Sequence, residues 1–313
     1  MNGTATTPTR RRGRTPARVH GVLPVNKAAG MTSFQVVRDV RRILGERRVG
    51  HAGTLDPAAL GMLPICVGQA TRLVDYFHEQ SKSYRCIIRL GQRSTTLDTE
   101  GDISDSGDAS AVTEDAVRAA LQPFVGRIEQ TPPMFSAGRS EGRHLYELAR
   151  EGREIERAPR TVVIESVDLI AFRAGAISEA EVQVVCGKGT YMRVLAADLG
   201  DALGTGGLLA WLERTRYGTL ALDSAITLDQ LAALDDPRSA LLSPDVAVEF
   251  LPRIDLAPPL ALQVQRGQSV WVPNLPSPRP TGPARAHAAD GDLIGLGEVQ
   301  GNLFRPTKIL ATA

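Results

Sequence analysis

The sequence predicts an α+β fold followed by a small all-β module. Three observations carry that reading. Apolar residues recur at helical spacing in several segments, as in "SFQVVRDVRRILG". Between them lie segments of alternating or β-branched character, two of which stand at hairpin separation. Beyond about residue 252 the chain turns to short β-like pieces around a Pro-rich loop.

The elements follow in order. Residues 1–20 are rich in Thr, Pro, Gly and Arg and are expected to form a disordered basic tail. "HGVLPVNKAAGMTS" reads as a strand and a Gly-containing turn, with Thr32 or Ser33 capping a helix. On that helix Phe34, Val37, Val40, Ile43 and Leu44 are expected to face the core, and Gly45 ends it. "KSYRCIIRLG" reads as a strand with Tyr84, Cys86 and Ile88 on one side, followed by a polar, acidic loop over 92–112. Thr113 caps "TEDAVRAALQPFVG", whose first turn is acidic. A helix is expected near His144–Glu151. "TVVIESVDLIAFRA" and "EAEVQVVCGKG" are the strands at hairpin separation. "TYMRVLAADLGDALG" is a helix with Met192, Leu195, Leu199 and Leu203 on its apolar face. "TLDQLAALDD" opens with a Thr-x-x-Gln capping box. Pro244 and Pro252 punctuate a boundary, which divides the chain into 21–247 and 248–313.

Composition narrows the classes. The 313 residues are 42% hydrophobic and 23% charged, ordinary for a globular protein. No apolar run approaches the ~20 residues of a membrane span. The start of the chain has no apolar core segment of the secretory kind, so the expected location is cytoplasmic. Cys66, Cys86 and Cys186 are widely spaced and sit in apolar stretches. They are expected to be buried thiols, with no disulfide framework and no zinc site.

Net charge is only +1, but the charge is segregated. Arg10, Arg11, Arg12, Arg14 and Arg18 crowd the start, and Arg38, Arg41, Arg42, Arg47 and Arg48 outnumber Asp39 and Glu46. Residues 98–115 carry seven acids and no base. Basic patches bind phosphates even when net charge is near zero, although a charge run also serves as a solvated face.

The stretch "GHAGTLDPAALGMLPICVGQATRL" sets the functional question. Asp56 stands among small and apolar residues, with Pro57 after it. Asp before Pro is a helix-start signal, so one reading is a loop entering a short helix capped by Asp56. The other is that Asp56 carries chemistry, which requires a cationic partner and an aromatic surface elsewhere.

Five stretches resemble, in order, the motifs of the bacterial TruB-type tRNA pseudouridine synthases. "GVLPVNKAAGMTS" resembles the N-terminal motif, "GHAGTLDPAALGMLPICVGQATRL" the catalytic motif and "KSYRCIIRLGQRSTTLDTEG" the tyrosine motif. "TPPMFSAGRSEGRHLYELAREG" and the arginine motif "CGKGTYMRVLAADLG" follow, and the resemblance covers about 21–245. One departure is that Lys27-Ala28-Ala29-Gly30 lacks the proline usual after the lysine, which implies a looser turn.

The resemblance implies a pseudouridine synthase fold: a mixed, largely antiparallel central sheet flanked by helices, with a PUA-like RNA-binding module over 248–313. It implies isomerisation of uridine to pseudouridine in the T-loop of tRNA (position 55 in tRNA numbering). It implies no cofactor and no metal, and no need for guide RNA or a protein partner; with no sign of oligomerisation in the sequence, a monomer is the default expectation. Asp56 is then the carboxylate at the ribose, in a pocket with Leu55, Leu60 and Leu63. Arg193 is its ion-pair partner, and Tyr84 is a catalytic residue whose ring stacks on the base and whose hydroxyl is expected to help remove the C5 proton. His51 fills the space of the flipped base, Tyr191 packs behind the site, and Gly53 belongs to the rigid frame of the loop. Lys27 and the arginines of 38–48 are candidates for phosphate contact. Two other functions remain to be weighed: a tRNA-folding chaperone in which catalysis is secondary, and a guide-RNA-dependent synthase.

Overall fold

The computed structural model describes residues 19–310, apart from 137–138, 141–142, 154 and 276. The expected basic tail lies outside the described residues through position 18. Among the described residues, no helix is long and apolar enough to cross a membrane.

The chain begins with β1 (Gly21–Lys27), α1 (Ser33–Leu44), β2 (Val49–His51) and β3 (Leu60–Val67). Next come α2 (Val74–His78), β4 (Lys82–Leu90) and a hairpin of β5 (Gln92–Ser94) with β6 (Ile103–Asp105). Then follow α3 (Glu114–Leu121), β7 (Gly126–Gln130), β8 (Arg139–Ser140), β9 (Arg143–His144) and α4 (Leu145–Arg150). The first sheet is completed by β10 (Arg160–Arg173), β11 (Ser178–Cys186), β12 (Gly207–Tyr217) and β13 (Leu220–Ala221), with α5 (Met192–Ala202) and α6 (Leu228–Ala232) among them. Last come β14 (Arg253–Asp255), α7 (Pro258–Gln265), β15 (Val270–Trp271), β16 (Gly282–His287), β17 (Leu293–Gln300) and β18 (Leu303–Ile309).

The central sheet runs β1-β3-β12-β4-β11-β10-β7, with β2 added to β3 and β13 to β12. Every pair is antiparallel except β3 with β12. This is the mixed, largely antiparallel arrangement expected. The second sheet, β14-β16-β17-β18-β15, holds the C-terminal residues.

Local signals place the helices well. Thr32 caps α1 with a reciprocal box to Gln35, and Gly45 closes it in the left-handed conformation. Thr113 caps α3, and Thr227 forms the box with Gln230 at α6. One core packs α3 and α5 on the sheet through Val117, Leu195, Leu199, Cys86 and Val182. A second packs α1 on β1 and β3. A third joins Met62, Phe77 and Tyr217 to Leu293, Leu296 and Leu310, so the C-terminal module shares core with the larger body. The three cysteines are buried and free, and burial pushes Cys66 and Cys86 up to about 12 and Cys186 to about 11.

Four expectations need correction. Asp56-Pro57 does not open a helix. Asp56 is the first residue of a tight turn, its carbonyl accepting from Ala59 N–H at 3.1 Å, and "LGMLPICV" then pairs with β1 as a strand. Phe34 is not in the core but 66% exposed. The buried stripe is Ser33, Val36, Val37, Val40 and Leu44, and at about 100° per residue Phe34 falls a quarter-turn outside it. The loop 92–112 contains the β5–β6 hairpin. The C-terminal module is not all β: α7 starts at a proline, favoured in a first helical turn, and buries Ala261 and Val264.

Candidate active site

Asp56 lies on the loop between β2 and β3, and the backbone around it is tied on every side. Leu55 N–H donates to Ser33 Oγ at 2.9 Å, and Ser33 Oγ–H donates back to Leu55 O at 3.1 Å. Pro57 O accepts from Gly30 N–H at 2.9 Å and from Lys27 Nζ at 3.1 Å. Arg214, on β12, donates from Nη2 to Gly53 O at 3.1 Å and from Nε to Met62 O at 2.6 Å. Gly53 is required here: its φ is +111°, and a Cβ would lie 2.9 Å from the Tyr217 ring and hydroxyl. Such tethering holds a carboxylate in place before substrate arrives.

The cation that Asp56 requires is Arg193, delivered by the first turn of α5. Its Nη2 is 3.0 Å from Asp56 Oδ2, and its Nη1 is 3.5 Å from Asp98 Oδ2. The same guanidinium donates to Phe135 O at 2.7 Å and Thr96 O at 3.3 Å. Arg193 is therefore fully employed, with only 7% of its side chain exposed, while Asp56 keeps 42% open. A planar five-donor group suits this task and an ammonium does not. Burial raises the Asp56 pKa, Arg193 opposes the rise, and Asp98 reinforces it.

Asp98 itself is set by an unusual backbone. Leu97 has φ +65°, a left-handed conformation that costs a non-glycine residue about 1 kcal/mol or more. Bonds from Leu97 N–H to Ser94 O and from Leu209 N–H to Leu97 O hold it there, at 3.1 and 3.0 Å. The turn aims the Thr96 carbonyl and the Asp98 carboxylate at one guanidinium.

Tyr191 is the N-cap residue of α5, two positions before Arg193. Gln130, at the end of β7 and 2% exposed, grips it twice. Tyr191 N–H donates to Gln130 Oε1 at 2.9 Å, and Gln130 Nε2 donates to Tyr191 O at 3.3 Å.

Tyr84 on β4 is half-buried, packs against the first and second of the three cores and lies opposite Arg214 in the sheet register. Burial pushes its phenol up, and the Arg214 charge opposes that. His51, the last residue of β2, has a buried Nδ1 with no hydrogen-bond partner among the described residues. Burial lowers its pKa, and Arg214 and His78 lower it further.

Lys27 is not placed to meet a phosphate. It is 1% exposed, and its Nζ donates to Met31 O at 2.7 Å, Ala28 O at 3.0 Å and Pro57 O at 3.1 Å. An ammonium has three hydrogens, so none is left. Burial brings its pKa down to about 8, against the pull of Asp56. The turn expected to be loose for want of a proline is instead anchored by this lysine and by Gly30.

Of the residues that sequence reasoning named, Gly53 and Asp56 lie on this loop, Arg193 and Lys27 bond to it, His51 precedes it, Tyr84 lies opposite Arg214, and Tyr191 stands two positions before Arg193. That reasoning missed Arg214, Asp98, Gln130 and Tyr217. Asp98 had a signal, since it lies within the tyrosine-motif stretch, but it was read there as one acid of a solvated run. Arg214 had none, because "GLLAWLERTRY" does not look like the inner strand it forms.

Residues 41–192 match the N-terminal domain of the TruB family of pseudouridylate synthases. The tRNA pseudouridine synthase B of Ralstonia nicotianae is 41% identical over 300 residues, covering 93% of this chain and 94% of that protein. The enzyme of the same name from Burkholderia mallei is 41% identical over 297 residues, covering 93% and 97%. Among solved structures, an H/ACA RNP bound to a substrate RNA containing 2′-deoxyuridine superposes with a TM-score of 0.71. That match is 24% identical and covers 93% of this chain and 85% of the other. A Cbf5–Nop10–Gar1 complex gives a TM-score of 0.69 at 24% identity, covering 92% and 84%. These structural likenesses speak to the fold.

Proposed function

This chain belongs to the TruB family of pseudouridylate synthases, and from that premise we propose how its site works on tRNA. It is an isomerase that converts uridine in tRNA to pseudouridine. The C1′–N1 glycosidic bond breaks, the uracil turns, and a C5–C1′ bond forms. C5 loses a proton and N1 gains one, so atoms balance without any co-reactant.

Asp56 is the carboxylate at the ribose, whether it attacks C1′ or removes the C2′ proton. Both roles need it ionised, and Arg193 favours that form against the cost of burial. Tyr84 lies against the base. Its phenol, kept protonated by burial, serves as a surface rather than as a resting base. His51 takes the place of the flipped uridine, and flipping costs a few kcal/mol that the site must recover. Lys27 and Arg214 hold the loop and touch no RNA. The target is the T-loop uridine, the enzyme acts as a monomer in the cytoplasm without guide RNA or protein partner, and residues 248–313 add RNA contacts. The single observation that carries this reading is the Arg193–Asp56 pair, 3.0 Å apart, at a loop still open to solvent.

The test uses unmodified tRNA transcript tritiated at uridine C5, with purified protein and no other factor. Release of about one equivalent per tRNA is expected, and Asp56→Asn should abolish it while leaving RNA affinity nearly unchanged. Substantial turnover by that variant would overturn the role of Asp56. Absence of release by the wild type would overturn the stand-alone reading.

A further inference from the structure

Phe34 is the residue that this mechanism leaves unexplained. It sits in the first turn of α1 with 66% of its surface exposed, although an aromatic ring is usually buried. Its surroundings connect it to the catalytic loop. Ser33, its neighbour, clamps both backbone groups of Leu55, the residue before Asp56. Two turns along the helix, Arg41 donates from Nη2 to Val49 O at 2.8 Å, at the start of β2. The first turn of α1 is thus fixed at residue 55 and its third turn at residue 49. The helix runs alongside the segment that carries His51 and leads to Asp56. Residues seven apart share a helix flank, so Phe34 stands on the flank that Arg41 turns toward this segment.

The rest of that surface is cationic. Arg38 and Arg42 follow Phe34 at four-residue intervals, with 66% and 79% of their side chains exposed. Asp39 offsets one of them, at 3.9 and 3.6 Å. Arg47 and Arg48 are exposed at the turn into β2. An exposed ring beside arginines is how proteins bind unpaired nucleotides: the ring stacks on a base and the cations meet the backbone. A uridine can leave its stack only if its neighbours in the loop are also disturbed, and a ring at the rim of the site can hold one of them.

Resting on the reading above, we propose that Phe34 is a stacking platform for an unpaired nucleotide next to the target uridine, with Arg38 and Arg42 taking the adjoining phosphates. Phe34 then contributes to RNA binding and not to the chemical step.

Three variants test this, with a T-arm stem-loop RNA and full-length tRNA transcript. Phe34→Ala should weaken affinity and raise KM by about tenfold, the lower part of the range for one lost base stack, with the single-turnover rate at saturation unchanged. Phe34→Leu keeps apolar bulk without a π face and should behave like Phe34→Ala. Phe34→Trp should bind at least as well as wild type, and its added indole emission, over that of Trp211 and Trp271, should be quenched when RNA binds. Wild-type affinity in Phe34→Ala, or a Phe34→Leu variant as good as wild type, would overturn the proposal, and the latter would mark the patch as a plain apolar contact. The functional reading is judged apart from this, by tritium release from the wild type.

Discussion

Replacing Arg193 by methionine isolates the electrostatic part of the mechanism. The change keeps much of the buried apolar stem and removes the cation that bridges Asp56 and Asp98. At the 3.0 Å separation seen, an ion pair in a medium of effective dielectric about 20 is worth roughly 5 kcal/mol, an upper bound. Asp56 is partly open, so solvent screens much of this. The sign is unambiguous. Asp56 already has a raised pKa, through burial first, and Arg193 acts against that rise. Without Arg193 the carboxylate protonates at still higher pH, and activity falls as pH drops through that value. Single-turnover tritium release, followed from about pH 5 to about pH 9, should show the acid limb displaced to higher pH, with a lower plateau because the carboxylate is no longer positioned. Arg193→Lys should keep the limb near its original place, since a positive charge remains, yet lose rate, since one ammonium cannot serve Asp56, Asp98 and two carbonyls at once. A limb that stays put in Arg193→Met, while the rate falls, would refute the claim that Arg193 keeps Asp56 ionised.

Two further outcomes follow from buried polar groups. Lys27 titrates at about 8 in the folded state against 10.5 for a free lysine, so between those values the unfolded chain holds a proton that the folded chain has lost. Stability therefore rises with pH across that window, by about 3 kcal/mol for this group. Urea unfolding of wild type and Lys27→Met, compared at both ends of the window, should show the wild type gaining on the variant, and a constant difference would be contrary to the burial described. Gln130→Ala releases the grip on Tyr191 and hence on the turn that delivers Arg193. kcat should fall by about ten- to a hundredfold with RNA affinity held, and Gln130→Glu, which can still accept from Tyr191 N–H, should recover part of it. An unchanged kcat in Gln130→Ala would show that α5 needs no such brace.

The features legible in advance were those whose cause is local. Thr32, Thr113 and Thr227 announce helix starts because each side chain satisfies a backbone donor three residues on. The strands that became β10 and β11 were visible in alternation and hairpin separation. The same locality misled at Asp56-Pro57, where a helix-start signal is overridden by the pairing of β3 with β1. It misled again at α1, where Phe34 lies near enough to the apolar stripe to be counted in it.

The sequence by itself determined the fold class and the order of the motifs, and its resemblance to the family pointed to Asp56, Arg193 and Tyr84, because motifs reside in residue types at short spacing. Only the tertiary structure decided how they meet. Arg193 reaches Asp56 across 137 positions of chain, and Arg214 reaches Gly53 across 161, both by virtue of strands and helices brought side by side. Tertiary packing also made Lys27 a buried brace instead of a phosphate contact, and left Phe34 facing outward. A buried cation must satisfy every donor with whatever backbone the fold brings near it, and that backbone comes from elements remote in sequence.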